Sequence, residues 1–495
     1  MAATLLPLLA VLPLSAAPVA AVLPLSAAAA AASAAAPWAR GSYGKLAFAA
    51  DAQSYVWSYG DTHLASSPDS LANCSSLSSS TTTGTDARLG AYEELTLTCG
   101  SDGELAVQYV ARMDAFLFVR RPKSLALPTR WPSFDVSAAP NGTMCLSWGE
   151  HYFFPGTVGP RIAHTNPKPA DLRQCSGGGP LFFFGAPPAD SGGSAISPSM
   201  ALSPISHFTS NMVQGAGHDF TGLGVDAGAG HCGGAAKCKL FPTRAALLAR
   251  PGVTRATRAF GSLLRQAQNT TRRRGPAVTQ LSYWNDNQAG YSWWTVGHDQ
   301  TVWGLPEDIY LTLKAGYDKA GIPIRGWEPD NNIDADFNGA WDSPAKNWIG
   351  HDYTKWNTSL YPSDGPAFVQ KLGNLSMTYY TNGFGADNVH AKKNGGPWPF
   401  VKNNEPHPNI SYDFYKSIFG NAHEKWNMEM LFTDFLCYRG PEMGQYQDCG
   451  EEVEGAHKWL AGMTKAAMDT GSEVQYCMAL AHQVGLTPNY AVIHL

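Results

Sequence analysis

Three carboxylates in this chain stand beside aromatic rings, each after a short apolar run. Asp434 follows MEMLFT, Asp330 lies in GWEPDNN behind Trp327 and Glu328, and Asp286 lies in YWNDN behind Trp284. Asn382 follows the similar run MTYYT. Carboxylates and amides next to flat rings suit a polyhydroxylated ligand, whose hydroxyls take the polar groups and whose C–H faces lie on the rings. Two carboxyl groups about 5 Å apart could also break a glycosidic bond with retention, one attacking the anomeric carbon and the other protonating the leaving oxygen. Asp434 fits the attacking group, because the apolar run before it and Phe432 and Phe435 beside it would hold it rigidly and partly dry. It could equally cap a helix or pair with Arg439. Asp330 could bind sugar hydroxyls in bidentate fashion or make an Asx turn after Pro329, and Asp286 has the same two readings. Trp327, Trp284 and Trp294 are candidate stacking surfaces, with Glu328 and Asn382 as further hydroxyl partners.

These residues need elements that bring them together. From residue 275 onward the chain alternates strand and helix: strands over 278–284, 322–327, 375–380, 428–433 and 474–479, helices over 306–320, 413–425 and 451–470. Pro306 suits a first helical turn, and Glu307 and Asp308 favour its N-terminus. Such alternation predicts parallel strands with covering helices. In a (β/α)8 barrel the strand ends converge on one face, where such enzymes keep their sites; a doubly wound sheet would also put functional groups at strand ends. Residues 37–271 instead show short alternating runs, at 45–50, 94–99, 105–111, 115–119, 144–148 and 181–184, which read as an antiparallel sandwich. The low-complexity patches 75–83 and 177–179 with 191–194 read as surface loops, and 253–268 as a bridging helix. The expected fold class is therefore α+β and multidomain: a β-sandwich over 37–271, then a partial (β/α)8-type (TIM) barrel over 275–495.

Bulk properties narrow the partners. With 495 residues, 15% charged, and a net charge of −5, nothing favours nucleic acid, and the basic run Arg272 to Arg274 reads as a solvated linker. Residues 1–36 are almost all Ala, Leu, Val, Pro and Ser, with Pro7, Pro13, Pro18 and Pro24 interrupting any helix. They read as a cleaved signal peptide leading to secretion or an endomembrane lumen, with a signal anchor or plastid leader as alternatives, and no membrane span is expected after its removal. Acceptor sequons at Asn73, Asn141, Asn269, Asn357, Asn374 and Asn409 agree. Nine cysteines include the close pairs Cys232 with Cys238 and Cys437 with Cys449, which an oxidising compartment would let close small loops. No C-x-x-C pair occurs, so neither zinc nor another cofactor is expected.

The segments LSYWNDN, GIPIRGWEPDNN, MTYYTNGF, MEMLFTDFLCY and VQYCMALAHQ resemble, in order and spacing, the barrel strands of the α-galactosidase and raffinose-synthase group of glycoside hydrolases. The resemblance covers about 279–483, and more faintly ISPSMALSPISHF resembles that group's N-terminal sandwich. It implies a nucleophile at Asp434, substrate binding at Asp330, and a general acid after the sixth strand in a motif with paired Asp. The last residues, TPNYAVIHL, hold no acidic side chain, and Phe432 stands where the α-galactosidases tend to carry Lys. The resemblance thus implies retaining cleavage of α-galactosides or related sugars, by a chain either cut short after its fifth strand or degenerate. Five βα units would leave an open edge. A non-catalytic carbohydrate-binding protein and a transglycosylase of the raffinose-synthase type are the alternatives.

Overall fold

The computed structural model describes residues 38–494, apart from 136–142, 149–159, 164–179, 186–196, 207–211, 227–239, 285–304, 329–355, 434–451 and 478–490 and some stretches of one to four residues. From Trp38 to Pro251 the short alternating runs build two antiparallel sheets. The seven-stranded sheet orders Trp38–Arg40, Lys45–Phe48, Tyr55–Tyr59, Thr62–Ser66, Arg130–Asp135, Phe220–Asp226 and Met212–Gly217. The nine-stranded sheet has Thr243–Pro251, Ala115–Pro122 and Gly103–Val110 near its centre and Leu77–Asp86 at one edge. Period-two alternation sorts the side chains: Leu105, Val107 and Tyr109 join Trp38, Tyr55, Trp57 and Phe118 in a core shared by both sheets, while Ala106 and Gln108 point the other way. One hydroxyl buried there bonds twice to the same neighbour. The Tyr55 hydroxyl donates to the Ser133 carbonyl at 2.6 Å and accepts from the Ser133 amide at 2.9 Å.

Of the patch 75–83, expected as a loop, residues 77–83 belong instead to the strand Leu77–Asp86, paired residue for residue with Gly90–Cys99. Its serines and threonines are mostly exposed, so no apolar alternation marks it, yet β-branched threonine suits an extended edge strand. A disulfide between Cys74 and Cys99 ties the approach to this hairpin.

The helix Val253–Ala267 closes the antiparallel region. Its Ala256, Phe260, Leu263 and Leu264 recur at helical spacing and pack on Val110, Leu117, Phe182, Ala246 and Leu248, the far face of the larger sheet. Each such ring or leucine taken from water contributes roughly 2 kcal/mol. The same apolar cluster runs on into the next region, through Tyr283, Trp327, Tyr379, Leu431 and Tyr476.

That region is one parallel sheet of six strands: Leu281–Trp284, Ile324–Glu328, Ser376–Thr381, Met428–Thr433, Glu473–Cys477 and Ala491–His494, hereafter strands one to six. Their order in the sheet is their order in the chain, with no reversal, unlike a doubly wound sheet. The helices Pro306–Lys319, Gly365–Lys371, Ser411–Trp426 and Glu452–Thr470 fall between them in sequence. Asn427, in the left-handed region at φ 52°, turns the chain out of Ser411–Trp426 into strand four, and its Nδ2 donates to the Leu375 carbonyl at 2.7 Å. The sequence predicts five parallel strands and the structure has six. AVIH is only four residues long and carries no alternation, which is too little signal for a strand assignment. Among the described residues no helix is long and apolar enough to cross a membrane.

Candidate functional site

Two register shifts decide which side chains of the parallel sheet face the helices and which face away. Leu281 pairs with Ile324 but Ser282 with Gly326, so Arg325 is an extra residue in strand two; Met377 pairs with Met428 but Thr378 with Met430, so Glu429 is one in strand four. An extra residue flips the alternation. Ile324, Trp327, Met428 and Leu431 consequently join the helix-side core, and Glu328, Met430 and Phe432 fall on the opposite face. Thr378 and Tyr380 of strand three and Gln475 of strand five share that face through the ladder pairs Thr378 with Met430, Tyr380 with Phe432 and Phe432 with Gln475.

On this face the Trp284 ring meets Phe432 edge to face, centroids 5.9 Å apart, and Phe432 meets Tyr380 at 5.3 Å. Strands one and four are three places apart, about 14 Å in a flat sheet. The ring contact therefore requires the sheet to curl toward this face. Trp284 and Glu328 are direct ladder partners, and Glu328 is 5% exposed. Gly326 lies one rung below Glu328 against the Ser282 side chain, where a Cβ would collide with the hydroxyl.

Of the residues singled out in the sequence, the structure brings Trp284 and Glu328 together. Trp327 goes elsewhere: it is 0% exposed on the helix side, 4.5 Å from the Tyr283 ring and 5.7 Å from Tyr310. Its ring fixes strand two in the core and presents no surface to a sugar. Asp434, Asp330, Asp286, Asn382 and Trp294 lie outside the described residues, as do the pairs Cys232 with Cys238 and Cys437 with Cys449. Strands three and four end at Thr381 and Thr433, the residues immediately before Asn382 and Asp434.

Thr378, Tyr380 and Gln475 were not evident from sequence. Gln475 is 2% exposed, and its Nε2 has no hydrogen-bond partner among the described residues. A two-residue period counted back from Asn382 reaches Tyr380 and Thr378. Because strand three is buried on both faces, its apolar run gives no polarity contrast to reveal that phase. Among the described residues no three His, Cys, Asp or Glu side chains are grouped to hold a metal ion.

The helical layer is held by a second buried carboxylate. Glu307, in the first turn of Pro306–Lys319, accepts from Lys371 Nζ at 2.8 Å, from the Ser363 amide at 2.9 Å and from the Ser363 hydroxyl. Burial pushes its carboxyl up, but these donors outweigh it and hold Glu307 below the ordinary carboxylate range.

No protein-family model matches the sequence, and no curated protein does. Among solved structures, α-N-acetylgalactosaminidase NagBb from Bifidobacterium bifidum in its GalNAc complex is similar over 92% of this chain and 78% of that chain, with a TM-score of 0.55 at 10% identity. Its ligand-free form gives 92%, 79%, 0.55 and 10%, and its complex with Gal-NHAc-DNJ gives 90%, 77%, 0.53 and 10%. At that identity the likeness is one of fold: the chain has a fold found among glycoside hydrolases.

Proposed function

We propose that the chain is a retaining α-glycosidase acting on α-galactosides or α-linked N-acetylgalactosaminides, with the six parallel strands forming most of a (β/α)8-type barrel and the two antiparallel sheets a sandwich before it. One observation carries this reading. The parallel strands keep chain order, and the face away from the helices gathers Trp284, Glu328, Tyr380 and Phe432 toward the ends of four strands. A barrel puts its chemistry at those ends. The GalNAc-bound neighbour supports the choice of sugar.

In this mechanism Asp434, directly after strand four, attacks the anomeric carbon, and a second carboxyl group protonates the leaving oxygen. Water then hydrolyses the glycosyl ester. Glu328 and Asp330 accept hydrogen bonds from sugar hydroxyls, with Asp286 and Asn382 beside them, and Trp284 supplies an apolar wall. By the family resemblance the acid follows the sixth strand. The Cys74–Cys99 disulfide supports a secreted or luminal location.

The test is hydrolysis of aryl α-galactosides and aryl α-N-acetylgalactosaminides by the chain extended with its downstream coding sequence and by Asp434→Asn in that extended chain. Loss of a thousand-fold or more in kcat, roughly 4 kcal/mol, is expected on removing a nucleophile. Unchanged hydrolysis in the variant removes the assignment. Saturable sugar binding without turnover identifies a carbohydrate-binding protein instead, and transfer to added acceptor sugars identifies a transglycosylase.

A further inference from the structure

Between Asp226 and Asp286 the chain carries no Asp or Glu, although acidic residues outnumber basic ones 40 to 35 overall. Within that stretch the helix Val253–Ala267 displays Arg255, Arg258 and Arg265, and Arg272 to Arg274 follow in sequence. At 3.6 residues per turn the three helical arginines fall within about a quarter turn of one another, opposite the buried Ala256, Phe260, Leu263 and Leu264. Arg255 and Arg258 are exposed and Arg265 is half-buried. Two more exposed arginines extend the row past the helix C-terminus. Arg88 Nη1 donates to the Ala267 carbonyl at 2.7 Å, and Arg112 Nη2 donates to the Arg88 carbonyl at 2.6 Å.

None of these five arginines is paired with a carboxylate among the described residues, whereas Arg40, Arg121, Arg244 and Arg250 each are. Asp86, close to Arg88 in sequence, is taken by Arg244 at 2.9 Å. A row of like charges about 15 Å long along the helix repels itself and is relieved by an anionic partner. Guanidinium groups suit planar carboxylates and tetrahedral oxyanions.

We propose that this ridge binds an acidic polysaccharide, one that carries carboxylates or sulfates at regular intervals. The choice of a glycan as occupant rests on the glycosidase reading. Geometry supports it over a membrane, since an interfacial helix inserts its apolar face beside its cations and this helix has its apolar face in the core. The linear form of the row fits an extended chain with anionic groups along its length.

The test titrates heparin against the full chain at low and rising salt, with dextran as the neutral control. Three variants accompany it: R255Q/R258Q/R265Q, the charge-keeping R255K/R258K/R265K, and R88Q/R112Q as a second disruption should the first fail to fold. Heparin binding that weakens steeply with salt is expected, falling roughly ten- to a hundred-fold in the Gln variants and largely kept in the Lys variant. Hydrolysis of small aryl glycosides should be the same in all of them, so failure of the ridge and failure of the enzyme reading remain distinguishable. No heparin binding at low salt, equal binding by wild type and Gln variants, or tighter binding to duplex DNA or phosphatidylserine vesicles would each overturn the proposal.

Discussion

Trp284, at the end of the first parallel strand, packs edge to face on Phe432 of the fourth, with centroids 5.9 Å apart and ring planes at 87°. Phe432 is 1% exposed, and Tyr380 covers it from strand three. The three rings form an aromatic wedge that links strands one, three and four. Phe432→Ala should cost about 3–5 kcal/mol of unfolding free energy. In a double-mutant cycle with Trp284→Ala, the pair should show a coupling of about 1 kcal/mol. Chemical denaturation of the four proteins measures it, and additive losses would mean that the rings are neighbours without mutual stabilisation.

Phe432→Lys tests how far the ring cluster depends on being apolar. A lysine between Trp284 and Tyr380, at a position 1% exposed, would take its ammonium out of water, so destabilisation on the order of several kcal/mol is expected. Wild-type stability in a thermal melt would show that the site accommodates a cation.

In the proposed site Glu328 accepts from a sugar hydroxyl. Glu328→Gln keeps the shape of the side chain and removes its charge, and a charged hydrogen bond to a sugar hydroxyl is worth roughly 1.5–3 kcal/mol. Hydrolysis of aryl α-galactosides should therefore show a KM raised about ten-fold or more, with an unchanged melting temperature. A lower melting temperature with unaltered KM would make Glu328 a structural residue.

Sequence alone revealed the elements with clear ends, whether as bounded apolar runs or as helical periodicity. Met428–Thr433, Met144–Trp148 and Leu181–Phe184 are predicted to the residue, and Val253–Ala267 and Pro306–Lys319 to within one. The extra residues Arg325 and Glu429 are what sequence could not show, because a bulge leaves composition unchanged while reversing which neighbour faces the core. That is why Trp327 reads as a sugar platform from its place beside Glu328 and Asp330 but lies in the core. The strand Leu77–Asp86 escapes for the opposite reason: its polar residues pair fully and bury little.

The Cys74–Cys99 disulfide closes a separation of 25 residues. Loop-closure entropy for that length gives about 3.5 kcal/mol of stabilisation. Cys74→Ala/Cys99→Ala, or reduction of the wild type, should lower the urea midpoint accordingly. An unchanged midpoint would show that the pairing of Leu77–Asp86 with Gly90–Cys99 already restrains the unfolded ensemble to the same degree.

Glu94 contributes acid sensitivity to the larger antiparallel sheet. It is 6% exposed and accepts from Arg121 through both oxygens at 2.9 and 2.8 Å, from Gln108 at 2.6 Å and from Thr96 at 2.7 Å. Burial raises its carboxyl, but the Arg121 fork and the two neutral donors outweigh burial and hold it below the ordinary Glu value near 4.5. A depressed folded value stabilises the fold fully above the unfolded pKa, and that contribution is lost as pH falls through the lower folded value. Glu94→Gln should accordingly flatten the fall in stability below about pH 4.5. Arg121→Met leaves a buried carboxylate without its cation, so it should cost roughly 2–3 kcal/mol near pH 7 and move the acid limb to higher pH. Urea denaturation from pH 7 to pH 3 on the three proteins measures both effects, and parallel stability curves would show that the Arg121 fork contributes no pH-dependent stabilisation.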